Sequence, residues 1–173
     1  MKKAIFLDRD GIINHVKLVD GKPSPPSDLS EFIITSNIKE FLELSHKNNY
    51  LNIIITNQPD VSRGKITASA VEEINSFIKA NLKIDDIYTC FHDDKDFCEC
   101  RKPKPGNIIK AALNYQIDLS NSYMIGDRWR DIESGKNAGC KTIYVDYNYR
   151  ETKPTAYDFK VNSVKELKRI VFQ

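Results

Sequence analysis

Two aspartates follow a short apolar run near the start of the chain, at a spacing that suits metal-assisted chemistry. Ala4 to Leu7 is apolar, and Asp8, Asp10 and Gly11 come directly after it. Such a run predicts a buried strand, and ligands of open parallel sheets bind outside the carboxyl ends of the strands. Two carboxylates this close repel each other unless a cation compensates their charge. The spacing therefore predicts a pair of acids around a divalent cation.

Polar side chains also follow the second and the fourth apolar run. Thr56 and Asn57 end the second run, and a hydroxyl and an amide at that place can bind phosphate oxygens. Asp127 ends the fourth run and is placed to complete a magnesium site with Asp8. Asp131 begins the next helix, where we expect it to orient the site without binding the metal itself.

Three of the four cysteines and one of the three histidines fall within eleven positions. The pattern is C-x-H-x5-C-x-C, formed by Cys90, His92, Cys98 and Cys100. Three thiolates and one imidazole are a ligand set of structural zinc. Four protein ligands leave no open coordination position, so this pattern predicts a zinc ion that pins a loop rather than one that catalyses.

Two cations follow that loop and precede a rigid segment. Arg101 and Lys102 stand immediately before Pro103-Lys104-Pro105. Proline fixes its own φ angle and restricts the residue before it, so the segment cannot be helical. Cations held between a metal-pinned loop and a proline-rich turn are preorganised for a phosphate group.

Length and composition exclude several classes of protein. The 173 residues suit one domain. With 26 basic and 24 acidic residues, the net charge is +2, which does not indicate non-specific binding to nucleic acids. No apolar run approaches the ~20 residues that span a bilayer, and Asp8 ends the first run too early for a signal peptide. We expect a cytoplasmic, monomeric protein without membrane or nucleic-acid partners.

Strand and helix patterns alternate along the chain, which predicts a doubly wound, Rossmann-like α/β fold with a parallel sheet. We expect one domain over residues 1–173, with no stretch long enough for a separate cap domain. The segment from His15 to Ser30 is predicted to be an irregular loop beside the site. Strands are predicted over residues 4–7, 51–55, 86–90, 123–125, 141–145 and 159–161, and helices over 37–48, 67–81, 106–115, 131–138 and 164–171.

These motifs, in this order, resemble those of the haloacid dehalogenase (HAD) superfamily. The Cys/His loop followed by Arg-Lys-Pro is more closely similar to the heptose 1,7-bisphosphate 7-phosphatases and the related histidinol-phosphate phosphatases. The likeness covers nearly the whole chain. The motifs that carry it are Phe6-Leu7-Asp8-Arg9-Asp10-Gly11, Thr56-Asn57-Gln58, Cys98-Glu99-Cys100-Arg101-Lys102-Pro103-Lys104-Pro105-Gly106 and Ile125-Gly126-Asp127 with Asp131.

The resemblance implies a Mg2+-dependent phosphatase that works through an aspartyl-phosphate on Asp8. Asp10 would act as acid and then as base, and Thr56 and Lys102 would hold the phosphoryl oxygens. Mg2+ would be bound by Asp8, by the main-chain carbonyl of Asp10 and by Asp127. Zn2+ would be bound by the Cys/His set. The substrate, a small phosphorylated sugar, would be contacted by Arg101, Asn57, Asp20, Gly21 and Arg128.

The chain departs from the family pattern where substrate is recognised. Pro59-Asp60 replaces the usual Ser-Gly after Thr-Asn-Gln, which adds a negative charge, and Ile12 replaces the usual threonine. Phosphatase activity is therefore a firmer expectation than the substrate. Heptose bisphosphate is the leading substrate, and histidinol phosphate is the alternative. A DNA 3′-phosphatase and a non-catalytic, zinc-stabilised binding module are the remaining readings.

Overall fold

The computed structural model describes residues 1–172 and contains one large parallel sheet. The strands are β1 (Lys3–Leu7), β2 (Lys17–Val19), β3 (Lys22–Ser24), β4 (Tyr50–Asn57), β5 (Asp86–Cys90), β6 (Tyr123–Gly126), β7 (Lys141–Val145) and β8 (Phe159–Val161). The helices are α1 (Ile38–Lys47), α2 (Ala68–Asn81), α3 (Gly106–Tyr115), α4 (Trp129–Ala138) and α5 (Leu167–Val171). Six parallel strands follow the order β5-β4-β1-β6-β7-β8, which confirms the predicted doubly wound fold.

The alternation of side chains along β1 divides the core into two layers. Ile5 and Leu7 point to one face of the sheet, where they pack with residues of α1, α2 and α5. Ala4 and Phe6 point to the other face, where they pack with residues of α3 and α4. All four side chains are fully buried, as expected for a strand covered by helices on both faces. Each large side chain buried in this way contributes about 1.5–3 kcal/mol.

The central position of β1 brings three strand ends together. Leu7 pairs with Ile54 of β4 on one side and with Ile125 of β6 on the other. The residues that follow these strands therefore emerge at the same edge of the sheet. From β1 the chain adds β4 and β5 on one side of the sheet, and it then crosses back to add β6, β7 and β8 on the other side of β1. This reversal makes the edge a topological switch point.

The segment predicted to be an irregular loop is more ordered than expected. Its first half is the antiparallel hairpin β2–β3, and a 3-10 turn over Leu29–Glu31 follows. Asp20 and Gly21 form the hairpin turn, and both have positive φ angles, 52° and 77°. Asp-Gly at such a turn is a strong hairpin signal. Strands of three residues, one containing proline, were too short for hydrophobic periodicity to reveal.

Two further details differ from the predicted elements. The closing helix begins as a 3-10 turn over Val164–Glu166 before α5. Asn37 precedes α1 with a φ of 67° and makes no capping hydrogen bond with its side chain.

Within residues 1–172, β1 and α1 are connected only by the hairpin and the short 3-10 turn, so the described chain has no separate cap domain. None of the helices described combines the length and the apolar character needed to cross a bilayer.

Candidate active site

Three buried carboxylates meet one buried ammonium group at the switch point. Each of Asp8, Asp127 and Asp131 offers an oxygen that lies within 4.8 Å of the others. The Nζ of Lys102 lies 2.7 Å from Oδ1 of Asp8 and 2.6 Å from Oδ1 of Asp131. It also donates to the carbonyl of Ile55 at 2.7 Å. The fold brings together four charged groups from distant places: directly after β1, directly after β6, within α4 and in the segment before α3.

Burial and neighbouring charges shift the pKa values of Asp8, Asp127 and Lys102. Burial and the charge of Asp131 raise the pKa of Asp8 to about 7, although Lys102 opposes the change. Burial and the charges of Asp8 and Asp131 raise the pKa of Asp127 well above its ordinary range. For Lys102, burial disfavours the charged form, but Asp131 and Asp8 outweigh it and the pKa is raised. One ammonium group therefore does not balance three carboxylates.

The donor set and one orphaned atom fit a hard divalent cation. Oδ1 of Asp127 is buried and has no hydrogen-bond partner among the residues that the structure describes. A buried carboxylate oxygen without a partner is costly, and carboxylates are the ligands that Mg2+ prefers. Gly11 makes room for this acid, because a Cβ at its position would lie 1.9 Å from Oδ2 of Asp127.

Asp10 lies beside this cluster, and three other side chains fix its carboxylate. Gln58 donates to Oδ2 of Asp10 at 2.7 Å, and Asn14 donates to Oδ1 at 3.1 Å. The fully buried guanidinium of Arg9 donates to both oxygens at 3.2 Å. The same amide of Gln58 donates to Oγ1 of Thr56 at 3.0 Å, so one residue connects Asp10 with the hydroxyl at the end of β4.

Asn57 holds the main chain of Lys102. Its amide nitrogen donates to the carbonyl of Lys102, and its Oδ1 accepts from the Lys102 N–H, both at 3.1 Å. This pair of bonds fixes the point from which the Lys102 side chain enters the site. Asn57 also lines the pocket that adjoins these acids, where the sequence predicted its amide. The sequence did not reveal its bonds to Lys102.

A pocket of about 390 Å³ opens from these acids to the surface, and most of its charged groups are basic. Asp94 accepts from Arg101 at 2.9 Å and from Arg130 at 3.0 Å. Arg128 pairs with Glu151 through two bonds of 2.8 Å and 2.6 Å. Seven basic residues line the pocket: Lys22, Arg63, Lys65, Arg101, Lys102, Arg128 and Arg130. Five acids line it: Asp8, Asp10, Asp60, Asp94 and Asp131.

The structure brings most of the predicted residues to this site, but not the hairpin turn. Asp20 and Gly21 do not line the pocket; Lys22 to Pro25, which follow them, do. Asp131 contacts Lys102 directly and belongs to the carboxylate cluster, where the sequence placed it only near the site. Sequence reasoning assigned no site role to several residues that the structure places there, among them Gln58, Asp94, Arg130 and Tyr149.

The predicted zinc ligands lie together at the end of β5. The three sulfur atoms are 3.1 to 3.7 Å apart, and Nδ1 of His92 lies 3.3 Å from Cys100 and 3.7 Å from Cys90. Ligands around a tetrahedral zinc ion, with Zn–S of about 2.3 Å, are separated by roughly 3.8 Å. The cluster is therefore close to the size that such an ion requires, with Nδ1 as the histidine ligand.

The acidity of the thiols also bears on metal binding. Although burial opposes it, hydrogen bonds from Cys100 and the main chain lower the pKa of Cys98 to about 7. Burial and a bond with Cys100 raise the pKa of Cys90 above its ordinary range. Cys90 must therefore lose a proton when a metal binds, which links binding to pH. Cys140, the remaining cysteine, is buried and does not belong to the cluster.

Comparisons with known proteins agree with this geometry. The HAD-hydrolase-like family model matches residues 99–167. A Helicobacter pylori D-glycero-beta-D-manno-heptose-1,7-bisphosphate 7-phosphatase is 39% identical, and the match covers 80% of each chain. A Campylobacter jejuni D-glycero-alpha-D-manno-heptose-1,7-bisphosphate 7-phosphatase is 38% identical, over 83% of this chain and 81% of that protein. The D-glycero-beta-D-manno-heptose-1,7-bisphosphate 7-phosphatase of Escherichia coli K12 is 31% identical, over 97% of this chain and 93% of that protein.

A solved structure has the same fold. The D,D-heptose 1,7-bisphosphate phosphatase of B. bronchiseptica, complexed with magnesium and phosphate, superposes with a TM-score of 0.83. It is 24% identical and covers 99% of this chain and 98% of that one, and it supports the fold alone. The family assignment rests on the relatives above, which match this chain over most of their length at more than 30% identity. The chain belongs to the HAD-type phosphatases, in the family of the heptose-1,7-bisphosphate 7-phosphatases.

Proposed function

We propose that this enzyme removes the phosphate at position 7 of D-glycero-D-manno-heptose 1,7-bisphosphate. The observation that carries the proposal is the contact of Lys102 with Asp8 at 2.7 Å, in a pocket lined by further cations. A carboxylate and an ammonium group facing one space suit attack on a phosphoryl group whose oxygens need charge stabilisation. The relatives at 31–39% identity, all named for this activity, supply the substrate.

In the first step, an oxygen of Asp8 bonds to phosphorus while the bond from phosphorus to the sugar oxygen breaks. Asp10 gives its proton to that leaving oxygen. Lys102 and the Thr56 hydroxyl bind the equatorial oxygens, and Asn57 keeps Lys102 in place through its main chain. The product of this step is an aspartyl-phosphate on Asp8, which divides one difficult displacement into two easier ones.

In the second step, Asp10 takes a proton from a water molecule as the water oxygen bonds to phosphorus. The bond from phosphorus to Asp8 breaks, and inorganic phosphate leaves. Asp10 is thus protonated again and ready for the next cycle. Its carboxylate is held by Gln58, Asn14 and Arg9, so its position does not depend on the substrate.

The basic rim of the pocket supports a substrate with a second phosphate. Apart from Lys102 and the catalytic acids, the pocket is lined by six basic residues and by two acids, Asp60 and Asp94. Both of these acids are paired with arginines, so the rim keeps an excess of positive charge. Arg101, which has a buried Nη1 without a partner in the described chain, and Arg128 are the proposed contacts. Asp20 and Gly21 would act through the hairpin wall.

Two metals belong to the proposal. Mg2+ would be held by Asp8, Asp127 and the Asp10 carbonyl, and it would supply the positive charge that keeps Asp8 ionised and neutralises the phosphoryl oxygens. Zn2+ would be held by the Cys/His cluster. It would fix the loop that contains Asp94 and so stabilise the contact of Asp94 with Arg101. We further infer that residues 1–173 act as one domain, as a cytoplasmic monomer without nucleic-acid partners.

Phosphate release from the heptose bisphosphate tests the proposal. Wild-type protein with Mg2+ is compared with the Asp8→Asn variant, which keeps the shape of the side chain but cannot form the aspartyl-phosphate. We expect turnover by the wild type alone, release of one phosphate per sugar, and loss of turnover in chelator. Mass spectrometry of acid-quenched enzyme should detect one added phosphoryl group on the peptide that contains Asp8.

Histidinol phosphate and a 3′-phosphorylated oligonucleotide serve as competing substrates in the same assay. The proposal requires the highest kcat/KM for the heptose bisphosphate. A preference for histidinol phosphate would move the enzyme to the related activity, and a preference for DNA ends would reject a sugar substrate. Undiminished turnover by Asp8→Asn would reject the mechanism whatever the substrate.

A further inference from the structure

A tyrosine from the segment after β7 contacts a buried carboxylate of the site. Tyr149 lies between β7 and β8, and its hydroxyl donates to Oδ2 of Asp127 at 2.9 Å. Tyr149 is 9% exposed, and its ring packs against Tyr147 at 5.8 Å between centroids. A tyrosine hydroxyl carries its proton at neutral pH, so it can donate this hydrogen bond.

The two oxygens of Asp127 have different surroundings. Oδ2 accepts the hydrogen bond from Tyr149 and lies against Gly11, where a Cβ could not fit. Oδ1 is buried and has no partner within residues 1–172. A carboxylate that is held by one oxygen cannot rotate freely to exchange the two. The bond from Tyr149 therefore determines which oxygen remains for a cation.

The main chain on both sides of Tyr149 is fixed, so the hydroxyl is preorganised. Glu151 pairs with Arg128 through two bonds, and the N–H of Arg150 donates to the carbonyl of Gly21 at 2.8 Å. On the other side, Asp146 accepts from the N–H of Asn148 at 2.8 Å. The segment from Asp146 to Glu151 is thus tied to the hairpin and to the base of α4.

We propose that Tyr149 is a positioning residue of the metal site, which orients Asp127 so that Oδ1 faces the cation. The inference rests on the proposed function, because it takes the cation to bind at Asp8 and Asp127. Hydrogen bonds to the ligands of a metal raise its affinity, and their loss typically costs ~10–100-fold in binding. Tyr149 itself neither touches the phosphoryl group nor transfers a proton.

Mn2+ binding without substrate tests the proposal. Mn2+ takes the same oxygen ligands as Mg2+, and electron paramagnetic resonance of the free ion gives its Kd directly. We expect Tyr149→Phe to raise the Kd at least ~10-fold, because it removes only the hydroxyl. Tyr147→Phe is the matched control: it removes the same group from the packed neighbour and leaves the bond to Asp127 intact, so its Kd should change less than about twofold.

Turnover gives the second measurement. A positioning role predicts that saturating Mg2+ restores the kcat of Tyr149→Phe to within about threefold of wild type, and that the variant melts like Tyr147→Phe in metal-free buffer. A Kd for Mn2+ equal to that of Tyr147→Phe would overturn the proposal, and so would a loss of kcat that Mg2+ does not restore. Because Mn2+ binding is measured without substrate, the result does not depend on which phosphate ester the enzyme hydrolyses.

Discussion

Replacing Asp8 by asparagine is expected to stabilise the Mg2+-free protein even though it abolishes turnover. In the native state, Asp8 shares a buried site with Asp127 and Asp131, and Lys102 compensates this cluster only in part through its ion pairs with Asp8 and Asp131. Burial and the repulsion from Asp131 raise the pKa of Asp8 from 3.8 to about 7. Asparagine keeps the size of the side chain and an acceptor oxygen but carries no charge, so it removes this repulsion.

The sign and size of the effect follow from proton linkage. The native Asp8 carboxyl binds its proton more tightly than the unfolded one, so its contribution to stability is greatest at low pH. That contribution is lost as the pH rises from about 4 to about 7. At 1.36 kcal/mol per pKa unit, Asp8 lowers the free energy of unfolding by about 2–3 kcal/mol between pH 5 and pH 8. Exposed acids have already ionised at pH 5 and do not add to this slope.

Urea unfolding at pH 5, 6, 7 and 8 measures this difference. The protein is kept free of Mg2+ without a strong chelator, so that the zinc proposed for the Cys/His loop is not removed. We expect the stability of Asp8→Asn relative to wild type to grow by about 2–3 kcal/mol from pH 5 to pH 8, and saturating Mg2+ to restore most of the loss in wild type. Asp20→Asn makes the same chemical change on the exposed hairpin turn and should show no such growth. A difference that stays constant or shrinks as the pH rises would contradict the derived charge balance.

Three further substitutions have sharp expectations. Gly11→Ala should reduce turnover at least ~100-fold, because its Cβ would displace the carboxylate of Asp127, the proposed ligand of Mg2+. Gly64→Ala, where φ is also positive but a Cβ would meet no other atom within 4 Å, should cost only about 1 kcal/mol in unfolding free energy and leave kcat unchanged. Asp94→Asn should raise the KM for the bisphosphate several-fold while that for p-nitrophenyl phosphate stays constant, since this acid holds two rim arginines; equal changes for both substrates would argue against a rim that binds a second phosphate. Cys98→Ser should lower the zinc content from about one ion per chain and reduce stability by several kcal/mol, and elemental analysis of Cys140→Ser, which should keep its zinc, is the control.

The sequence was sufficient for the residues whose position is set by a strand end. Asp8 and Asp127 directly follow buried apolar runs, and the order of a doubly wound sheet brings such ends to one edge. The clustering of the Cys/His side chains was equally predictable, because the four residues lie within eleven positions and need only one loop to meet. In both cases, the information is local in sequence and the fold class supplies the rest.

The contacts that the sequence did not reveal depend on the packing of distant segments. Tyr149 reaches Asp127 across 22 positions, and Gln58 reaches Asp10 across 48. Nothing in the local pattern distinguishes Tyr149 from Tyr147, against which its ring packs, or from Tyr144 and Tyr157, which pack against each other. Its role is visible only once the segment after β7 is placed beside β6. Residues that orient a ligand are therefore harder to predict than the ligand itself.

The turn after β4 shows how a departure from the family pattern fits an anionic substrate. Asp60 adds a negative charge beside the pocket, but its Oδ1 accepts from Nη1 of Arg63 at 3.2 Å and lies 3.9 Å from Nζ of Lys65. The other two nitrogens of Arg63 bind Asp93 of the Cys/His loop at 2.8 Å and 2.7 Å. The extra acid is thus compensated within its own turn, and Arg63 joins that turn to the Cys/His loop. Asp60 therefore orients the side chains of Arg63 and Lys65, which also line the pocket. The rim still has a net positive charge that can attract a phosphate group.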